Sequence, residues 1–312
     1  MQVLLTGASG FVGGALLDAL QGRGHRISAL VRSDTARAAL GGRAIPIKGD
    51  LDRPEGLAPA LAQAAPDVVV HLAARIATTR DDRAIARTNT RGTEHLIQAA
   101  TAAGIRRFVF TSTVVTGEAD GALLQEDTPL PVASAYGRSK QASEATLFAA
   151  ADRGDMEAVV LRPSHVYGPG GWFGGLVREA AAGRLLVPGS GANYWDMLHV
   201  DDLVAALLIA VEHSSPGRLY HVADDTPVRM REVFSAINAA LGRRPPRSVP
   251  VWLARLIRGR PAIDAAVRSA RSSNTRIKRE LGWSPEHPAA LPVIPALVRA
   301  LVRASGRSIV AS

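Results

Sequence analysis

The sequence TGASGFVG occupies residues 6–13, between a short apolar run at residues 3–5 and an apolar stretch with helical spacing. This context predicts a turn that leads from a strand into a helix. Gly7 permits a tight turn, Gly10 lets the backbone approach a pyrophosphate, and Gly13 lets the helix pack closely on the strand. The N–H groups at the start of such a helix attract an anion. The stretch therefore favours a dinucleotide-binding loop over a plain strand-to-helix turn.

Strands and helices alternate through the first half of the chain. Apolar runs predict further strands at residues 26–31, 44–47, 67–71, 107–111 and 157–161, and residues 88–103 have the pattern of a helix. This order predicts an α/β fold, with a Rossmann-type doubly wound parallel sheet.

The sequence changes character after Pro163. Residues 168–175 and 189–193 are rich in glycine and predict loops, and the apolar residues 203–212 predict a helix. We therefore expect a nucleotide-binding domain at residues 1–163 and a smaller α/β substrate lobe at residues 164–312. Segments around residues 198–225 are expected to return to the first domain.

Composition excludes several classes of protein. The 312 residues are 47% hydrophobic and 21% charged, which is enough apolar sequence for a full core. Cysteine is absent, so the chain has no disulfide framework, cysteine metal site or cysteine nucleophile. The longest apolar run, residues 203–211, is shorter than the roughly 20 residues of a membrane span. The first residues do not resemble a signal peptide, so we expect a cytoplasmic protein.

The net charge of +9 raises the question of a polyanionic partner. The basic residues are spread along the chain and aromatics make up only 4%, which argues against nucleic-acid binding. Residues 251–271 combine an apolar stripe with several arginines. This segment is expected to be a lid helix over a pocket, in preference to an anchor on an anionic membrane. A small molecule is therefore the expected partner.

The end of the second predicted strand bears on which dinucleotide fits. An acidic residue there would accept hydrogen bonds from ribose hydroxyls and select NAD. This chain has Val31, which cannot bond a ribose, followed by Arg32, which can pair with a 2′-phosphate. NADP(H) is therefore favoured over NAD(H), and the alternative is that Arg32 is simply a solvated arginine.

A tyrosine and a lysine are spaced four residues apart on a predicted helix. Tyr136 and Lys140 would share one helix face. A tyrosine has a pKa near 10, too high for efficient proton transfer at neutral pH. A cation beside it favours the phenolate, so we expect Lys140 to lower the pKa of Tyr136.

Further motifs follow in a fixed order along the chain. They are Gly49-Asp50-Leu51, HLAA at 71–74, TNTRGT at 88–93, TST at 111–113, LRP at 161–163, YGP at 167–169, HVDD at 199–202 and LGWSP at 281–285. With the glycine loop and the Tyr136/Lys140 pair, they make the chain resemble the extended short-chain dehydrogenase/reductase family nearly end to end. That family includes NAD(P)-dependent epimerases, dehydratases and reductases.

The resemblance implies roles for individual residues. Tyr136 would be the general acid/base, and Lys140 would lower its pKa and hold the nicotinamide ribose. The resemblance also suggests a homodimer formed through helices of the first lobe. The residues it implies for cofactor binding are Gly7, Ser9, Gly10, Phe11, Val12, Arg32, Asp50, Leu51, Leu72, Ala73, Ala74, Tyr136, Lys140, Pro163 and Val166.

A hydroxyl at the end of the fifth strand would bond the substrate oxygen. Counted from the strand this residue is Thr113, which we favour, and counted back from Gly117 it is Ser112, because the loop is one residue short. Asn89 would either support a proton relay or only brace its helix.

Two departures from the family pattern concern the substrate. Nucleotide-sugar enzymes of the family commonly have asparagine where this chain has His165. They often have a phosphate-binding arginine where this chain has Trp195, and an uncharged indole cannot replace that contact. Aromatic residues near these positions either line the pocket or fill the core. The predicted substrate contacts are Arg75, Thr113, His165, Trp172 and Trp195.

These features predict an NADP(H)-dependent oxidoreductase that acts on a small, fairly hydrophobic carbonyl or alcohol. The alternative within enzymes is a nucleotide-sugar epimerase or dehydratase that retains NAD(P). A nucleotide-binding protein without catalysis is disfavoured because Tyr136 and Lys140 are both present. No metal is expected, since HVDD begins a helix and the chemistry needs none.

Overall fold

A computed structural model describes residues 1–310 except 77, 78, 80, 115–120, 130, 131, 133 and 216, with side chains as far as Ala304. The strands are β1 (Gln2–Thr6), β2 (Arg26–Val31), β3 (Ile45–Lys48), β4 (Val68–His71), β5 (Arg107–Thr111), β6 (Leu123–Leu124), β7 (Glu157–Pro163), β8 (His165–Tyr167), β9 (Val187–Pro188), β10 (Tyr194–Trp195), β11 (Met197–His199), β12 (Leu219–Val222), β13 (Val228–Arg229), β14 (Ser248–Val249) and β15 (Arg271–Ser272).

The α-helices are interleaved with these strands. They are α1 (Phe11–Gly22), α2 (Asp34–Ala38), α3 (Leu57–Ala64), α4 (Asp82–Ile85), α5 (Gly92–Ala102), α6 (Ala135–Asp152), α7 (Gly171–Ala181), α8 (Val200–Glu212), α9 (Met230–Ala240), α10 (Val251–Arg258), α11 (Arg260–Val267), α12 (Thr275–Leu281) and α13 (Ala290–Val310). A 3₁₀ turn covers Pro54–Gly56, and a π-helical turn covers Ala86–Arg91.

Seven parallel strands form the main sheet, in the order β12-β7-β5-β4-β1-β2-β3. Helices cover both faces, and a separate apolar cluster fills each side. Burial on both faces explains why strands such as Val68–His71 have no polar face. The doubly wound Rossmann-type sheet predicted from the sequence is confirmed.

The segment after residue 198 comes back to this sheet. α8 packs beside α1, and β12 pairs with β7 to become the edge strand of the sheet. The side chain of Asp202 accepts hydrogen bonds from the backbone N–H groups of Glu286 (2.7 Å) and His287 (3.1 Å), and its carbonyl accepts one from the Trp283 indole. These contacts tie the end of the chain to α8. A third apolar cluster, around α7, α9 and α13, forms the core of the remaining part.

The glycine-rich stretch at residues 168–175 is only partly a loop, because α7 begins at Gly171. The reason for its glycines is the ring of Phe11. A Cβ at Gly170 or Gly171 would lie about 3 Å from that ring. Gly171 also has a φ of +57°, which favours glycine. The stretch is therefore a close packing surface for the first residue of α1.

The basic segment 251–271 forms two short helices separated by Gly259, and three of its arginines engage carboxylates. Arg255 and Arg260 pair with Asp264, and Arg258 pairs with Glu179. Trp252, Leu256 and Ile257 on α10 are exposed, whereas Ala254 is buried. None of the helices among the described residues has the length and hydropathy of a membrane span.

Candidate active site

A groove of about 690 Å³ runs along the carboxyl ends of the parallel strands. Thr6, Val31, Thr111 and Pro163, each the last residue of a strand, line it. Ligands of open α/β sheets bind at this edge. The groove is lined by every residue that the sequence predicts for cofactor binding, namely Gly7, Ser9, Gly10, Phe11, Val12, Arg32, Asp50, Leu51, Leu72, Ala73, Ala74, Tyr136, Lys140, Pro163 and Val166.

The glycine loop is packed too tightly for side chains at two positions. Gly7 has a φ of +77°, and a Cβ on it would lie 2.8 Å from the nitrogen of Ala73. A Cβ on Gly13 would lie 2.0 Å from the carbonyl oxygen of Gly7. Gly10 precedes α1, and no side chain caps that helix. The first N–H groups of α1 therefore remain for a ligand in the groove, which fits a pyrophosphate.

The groove is basic beside the end of β2. Arg32 lines the groove and is exposed, and it makes no hydrogen bond or ion pair with any described residue. The preceding Val31 is buried. The next residue, Ser33, is occupied as the N-cap of α2, where it accepts a hydrogen bond from the N–H of Ala36. The guanidinium is thus the cationic group at this end of the groove.

Tyr136 and Lys140 both line the groove from the first turns of α6. The Lys140 ammonium donates to the carbonyl of Thr111 (2.7 Å) and lies 6.0 Å from the centre of the Tyr136 ring. Burial lowers the pKa of Lys140 to about 7, which the nearby Glu144 partly opposes. Burial raises the pKa of Tyr136 to about 12, opposite to the expected direction. The expected lowering by Lys140 is wrong, because desolvation of the phenolate outweighs the attraction of a cation at this distance.

The buried His71 and the Lys140 ammonium both contact the ring of Phe110. The His71 ring stacks on Phe110 at 5.6 Å, and the Lys140 ammonium lies 4.6 Å from the centre of that same phenyl ring. His71 hydrogen-bonds Thr6 (2.7 Å) and Thr93 (2.9 Å). Burial, together with the charge of Lys140, lowers its pKa to about 3. The imidazole is therefore neutral at physiological pH, and the ammonium contacts an uncharged aromatic stack.

Two hydroxyl candidates follow β5, and both line the groove. The buried Ser112 Oγ has no hydrogen-bond partner in the described part of the chain, whereas Thr113 has an interaction. Gly117, from which the choice of Ser112 was counted, lies outside the described residues. The preference for Thr113 stays a prediction. The hydroxyls of Thr111 and Ser164 are also buried without a partner among the described residues.

Asn89 lies behind the groove and does not line it. Its side chain accepts from the backbone N–H of Arg75 (2.7 Å) and donates to the carbonyl of Arg75 (2.9 Å) and to Ser139 (3.2 Å). These contacts hold the backbone after β4 against α6. Of the two roles considered, bracing has direct contacts in the structure. The π-helical turn at Ala86–Arg91 places this amide, and such turns are frequent at functional sites.

The predicted substrate residues divide into two groups. Arg75, His165 and Trp172 line the groove with Thr113. Trp195 does not line it, being only 3% exposed, stacked on His165 at 5.0 Å and bonded through its indole to the carbonyl of Ala266. The structure therefore makes Trp195 a support for His165, because its ring is part of the third apolar cluster.

Sequence reasoning missed other residues of the groove lining. They are mostly small or apolar groups next to the quoted motifs: Thr6, Leu30, Ala36, Gly49, Ile76, Thr88, Thr111, Ser164 and Leu203. Two of these residues could have been found from the motifs, because Thr111 is the first residue of TST and Ser164 directly follows LRP. The described residues contain no group of three or more His, Asp and Glu side chains arranged to hold a metal ion.

Comparisons with known proteins agree with this geometry. The model of the NAD dependent epimerase/dehydratase family matches residues 3–223. A 3-diazoavenalumate denitrifying reductase from a Streptomyces species is 37% identical over 304 residues, which are 93% of this chain and 97% of the relative. A UDP-glucose 4-epimerase from Mycolicibacterium smegmatis is 31% identical over 306 residues, which are 92% and 94% of the two chains.

A solved structure shares the fold over the full length. The structure of MoeE5 in complex with UDP-glucuronic acid and NAD superposes with a TM-score of 0.81 at 28% identity, covering 98% of this chain and 100% of that one. Matches in sequence and structure therefore extend beyond the nucleotide-binding part.

Proposed function

Since the chain belongs to the NAD dependent epimerase/dehydratase family and is an NAD(P)-dependent enzyme, we propose that it is an NADP(H)-dependent oxidoreductase. Its substrate is a small, fairly hydrophobic carbonyl compound or the corresponding alcohol. The preference for NADP(H) over NAD(H) rests on one observation, the exposed Arg32 in the groove beside β2.

Electrostatic attraction at the end of β2 favours NADP(H). A guanidinium pairs with a phosphate through short, charge-assisted hydrogen bonds. Arg32 makes no ion pair with a described residue, so no internal pair must be broken to bind such a group. Val31 offers no acceptor for the ribose hydroxyls that NAD would present.

The chemistry assigned to the other end of the groove is a proton transfer coupled to hydride transfer. When bound, the cofactor supplies or accepts the hydride. The Tyr136 hydroxyl donates its proton to the oxygen of the substrate as that oxygen becomes an alkoxide. A hydroxyl of Thr113 or Ser112 holds the same oxygen. Lys140, fixed by the carbonyl of Thr111, keeps a cation beside the phenol when it is protonated.

A hydrophobic substrate fits the aromatic side chains of the groove. Trp172 lines the groove and is 37% exposed, and His165 beside it is held neutral at pH 7 by a lowered pKa. Neither group supplies the positive charge that a diphosphate requires. The reductase among the relatives supports hydride transfer as the net reaction.

A nucleotide-sugar epimerase or dehydratase that retains NAD(P) is the second candidate. It is favoured by the UDP-glucose 4-epimerase relative and by MoeE5, whose structure holds UDP-glucuronic acid and NAD. A tightly retained cofactor and lack of net NADPH consumption with ketones would support it.

Cofactor titration tests the proposal. Nicotinamide fluorescence would be followed during separate titrations with NADPH and NADH. We expect NADPH to bind more tightly, and Arg32→Ala to weaken NADPH binding by about 10- to 100-fold while leaving NADH binding almost unchanged, since hydrogen bonds between charged groups contribute about 1.5–3 kcal/mol. Arg26→Ala is the matched control, because Arg26 is an exposed arginine at the opposite end of β2 and does not line the groove.

Two kinds of result would contradict the NADP(H)-dependent reductase assignment. Equal or tighter binding of NADH, or an equal loss in both arginine variants, would contradict the role of Arg32. Cofactor that co-purifies and does not exchange would bring the epimerase or dehydratase candidate forward.

A further inference from the structure

Three aromatic rings form one wall beside the reacting end of the groove: His165, Trp172 and Trp195. His165 stacks on Trp195 at 5.0 Å with an interplanar angle of 13°, and it meets Trp172 edge to face at 6.2 Å. Trp172 and Trp195 are themselves perpendicular, with centres 5.6 Å apart. His165 and Trp172 line the groove, while Trp195 is buried behind them. The mutual contacts fix the orientation of each ring.

The two indole donors of this wall are already used. The Trp172 indole N–H donates to the carbonyl of Val166 at 2.7 Å. The Trp195 indole N–H donates to the carbonyl of Ala266 at 2.8 Å. An indole has no further polar atom, so neither tryptophan can hydrogen-bond a ligand through its ring nitrogen.

The imidazole of His165 is the exception, and its tautomer is fixed. His165 Nδ1 lies 3.1 Å from the carbonyl oxygen of Asp196. A carbonyl oxygen only accepts hydrogen bonds, so Nδ1 carries the ring proton and Nε2 presents a lone pair. No described residue hydrogen-bonds Nε2. Burial and the nearby charge of Arg268 lower the pKa of His165 to about 4, so the lone pair persists at neutral pH.

The wall therefore offers a ligand aromatic surface and a single hydrogen-bond acceptor. We propose that His165 Nε2 accepts a hydrogen bond from the substrate, and that the site selects aromatic or planar unsaturated carbonyl compounds bearing a hydroxyl or N–H group. The inference rests on the proposed function in that the same groove takes the substrate. A role for His165 Nε2 would restrict the hydrophobic carbonyl substrates to compounds that have a hydrogen-bond donor away from the reacting carbonyl.

Matched ligands test this without a known substrate. The protein would be saturated with whichever oxidised cofactor binds more tightly, and then titrated calorimetrically with 3-hydroxyacetophenone, 3-methoxyacetophenone and acetophenone. The 4-substituted pair would be titrated in the same way. The methyl ether removes the donor and acetophenone controls for size. We expect a hydroxy compound to bind about threefold to tenfold more tightly than both controls at one or both ring positions.

Two variants assign the preference to His165. His165→Phe keeps a ring that can stack on Trp195 but has no acceptor, and it should bind the hydroxy compound and its ether equally. His165→Gln restores an acceptor oxygen and should recover part of the preference. Unchanged cofactor affinity and thermal melting would show that each variant is folded.

Three results would overturn the proposal: equal affinities within both sets in the wild type, no binding of any ketone, or a preference that survives in His165→Phe. Consumption of NADPH by the same ketones separates this question from the proposed function. A hydroxyl preference without NADPH consumption would refute the reductase assignment and leave the role of His165 intact. Reduction of all the ketones without a hydroxyl preference would support the reductase assignment and refute the role of His165.

Discussion

Two glycines at the start of α1 are predicted to respond in opposite directions to the same substitution. A Cβ at Gly13 would lie 2.0 Å from the carbonyl oxygen and 2.8 Å from the carbonyl carbon of Gly7. A Cβ at Gly14 would meet only the carbonyl oxygen of Ala8, at an ordinary 4.0 Å. Both positions are inside the helix. Gly13→Ala should therefore destabilise the protein, and Gly14→Ala should stabilise it.

The magnitude follows from two competing effects. Replacing glycine by alanine within a helix gains about 0.8–1 kcal/mol from helix propensity. Overpacking costs about 1–3 kcal/mol, and the upper end applies at Gly13 because the clashing atoms are backbone that cannot rotate away. We expect Gly13→Ala to lower the free energy of unfolding by about 2 kcal/mol, a fall in Tm of about 3 °C for a chain of 312 residues. Gly14→Ala should raise the free energy of unfolding by up to about 1 kcal/mol.

Urea unfolding and NADPH titration measure the two consequences. Gly13→Ala should also weaken cofactor binding, because the clash displaces Gly7 and the N–H groups at the start of α1. Gly14→Ala should bind the cofactor as the wild type does. If the two variants were equally stable, or if Gly13→Ala bound NADPH normally, the tight packing of helix on loop would not be what requires glycine at residue 13.

Three further predictions concern catalysis, pH and ion pairing. Tyr136→Phe should lower kcat for ketone reduction about 10²- to 10⁴-fold, and an unchanged kcat would exclude the phenol as proton donor. His71 has a pKa of about 3 when folded against an ordinary 6.5, so the unfolded chain binds the extra proton between these values and stability falls as pH drops through that window. In urea unfolding at pH 7.5 and pH 5, the stability advantage of the wild type over His71→Gln should shrink at the lower pH, and a constant difference would contradict it. Glu144→Gln should cost about 3 kcal/mol because it removes the buried carboxylate that binds the partly buried Arg162 through two hydrogen bonds, whereas Asp152→Asn, in an exposed pair, should cost at most about 1 kcal/mol in the same assay.

The sheet was predictable because its strands are buried on both faces. The run of three valines at residues 68–70 contains no polar residue, and β2 and β5 begin and end where the sequence predicted. The glycine stretch 168–175 was harder because its glycines serve a partner distant in sequence. Nothing near residue 170 indicates that the ring of Phe11 packs there. Long-range contacts of this kind leave no periodic pattern.

Much of the groove lining could be predicted because strand ends and the glycine loop are local features. The protonation of Tyr136 and Lys140, the proposed proton donor and its neighbour, could not. The spacing of Tyr136 and Lys140 suggested a lowered tyrosine pKa, but the ammonium bonds Thr111 and lies 6.0 Å from the ring centre, so burial dominates and raises that pKa to about 12. Desolvation depends on the whole surroundings of a side chain, which residue spacing does not describe.

At the substrate end of the groove, the sequence did not indicate which aromatic residue is buried and which faces the groove. Trp195 and His165 were both expected to touch substrate because both depart from the family pattern. In the structure their positions differ: Trp195 is buried and His165 faces the groove, with its tautomer fixed by the carbonyl of Asp196. The buried indole acts through the imidazole that it supports. A change at residue 195 should therefore alter substrate binding only through the two groove-lining rings that the indole contacts, His165 and Trp172, and loss of the proposed hydroxyl preference in such a variant would follow from displacement of His165.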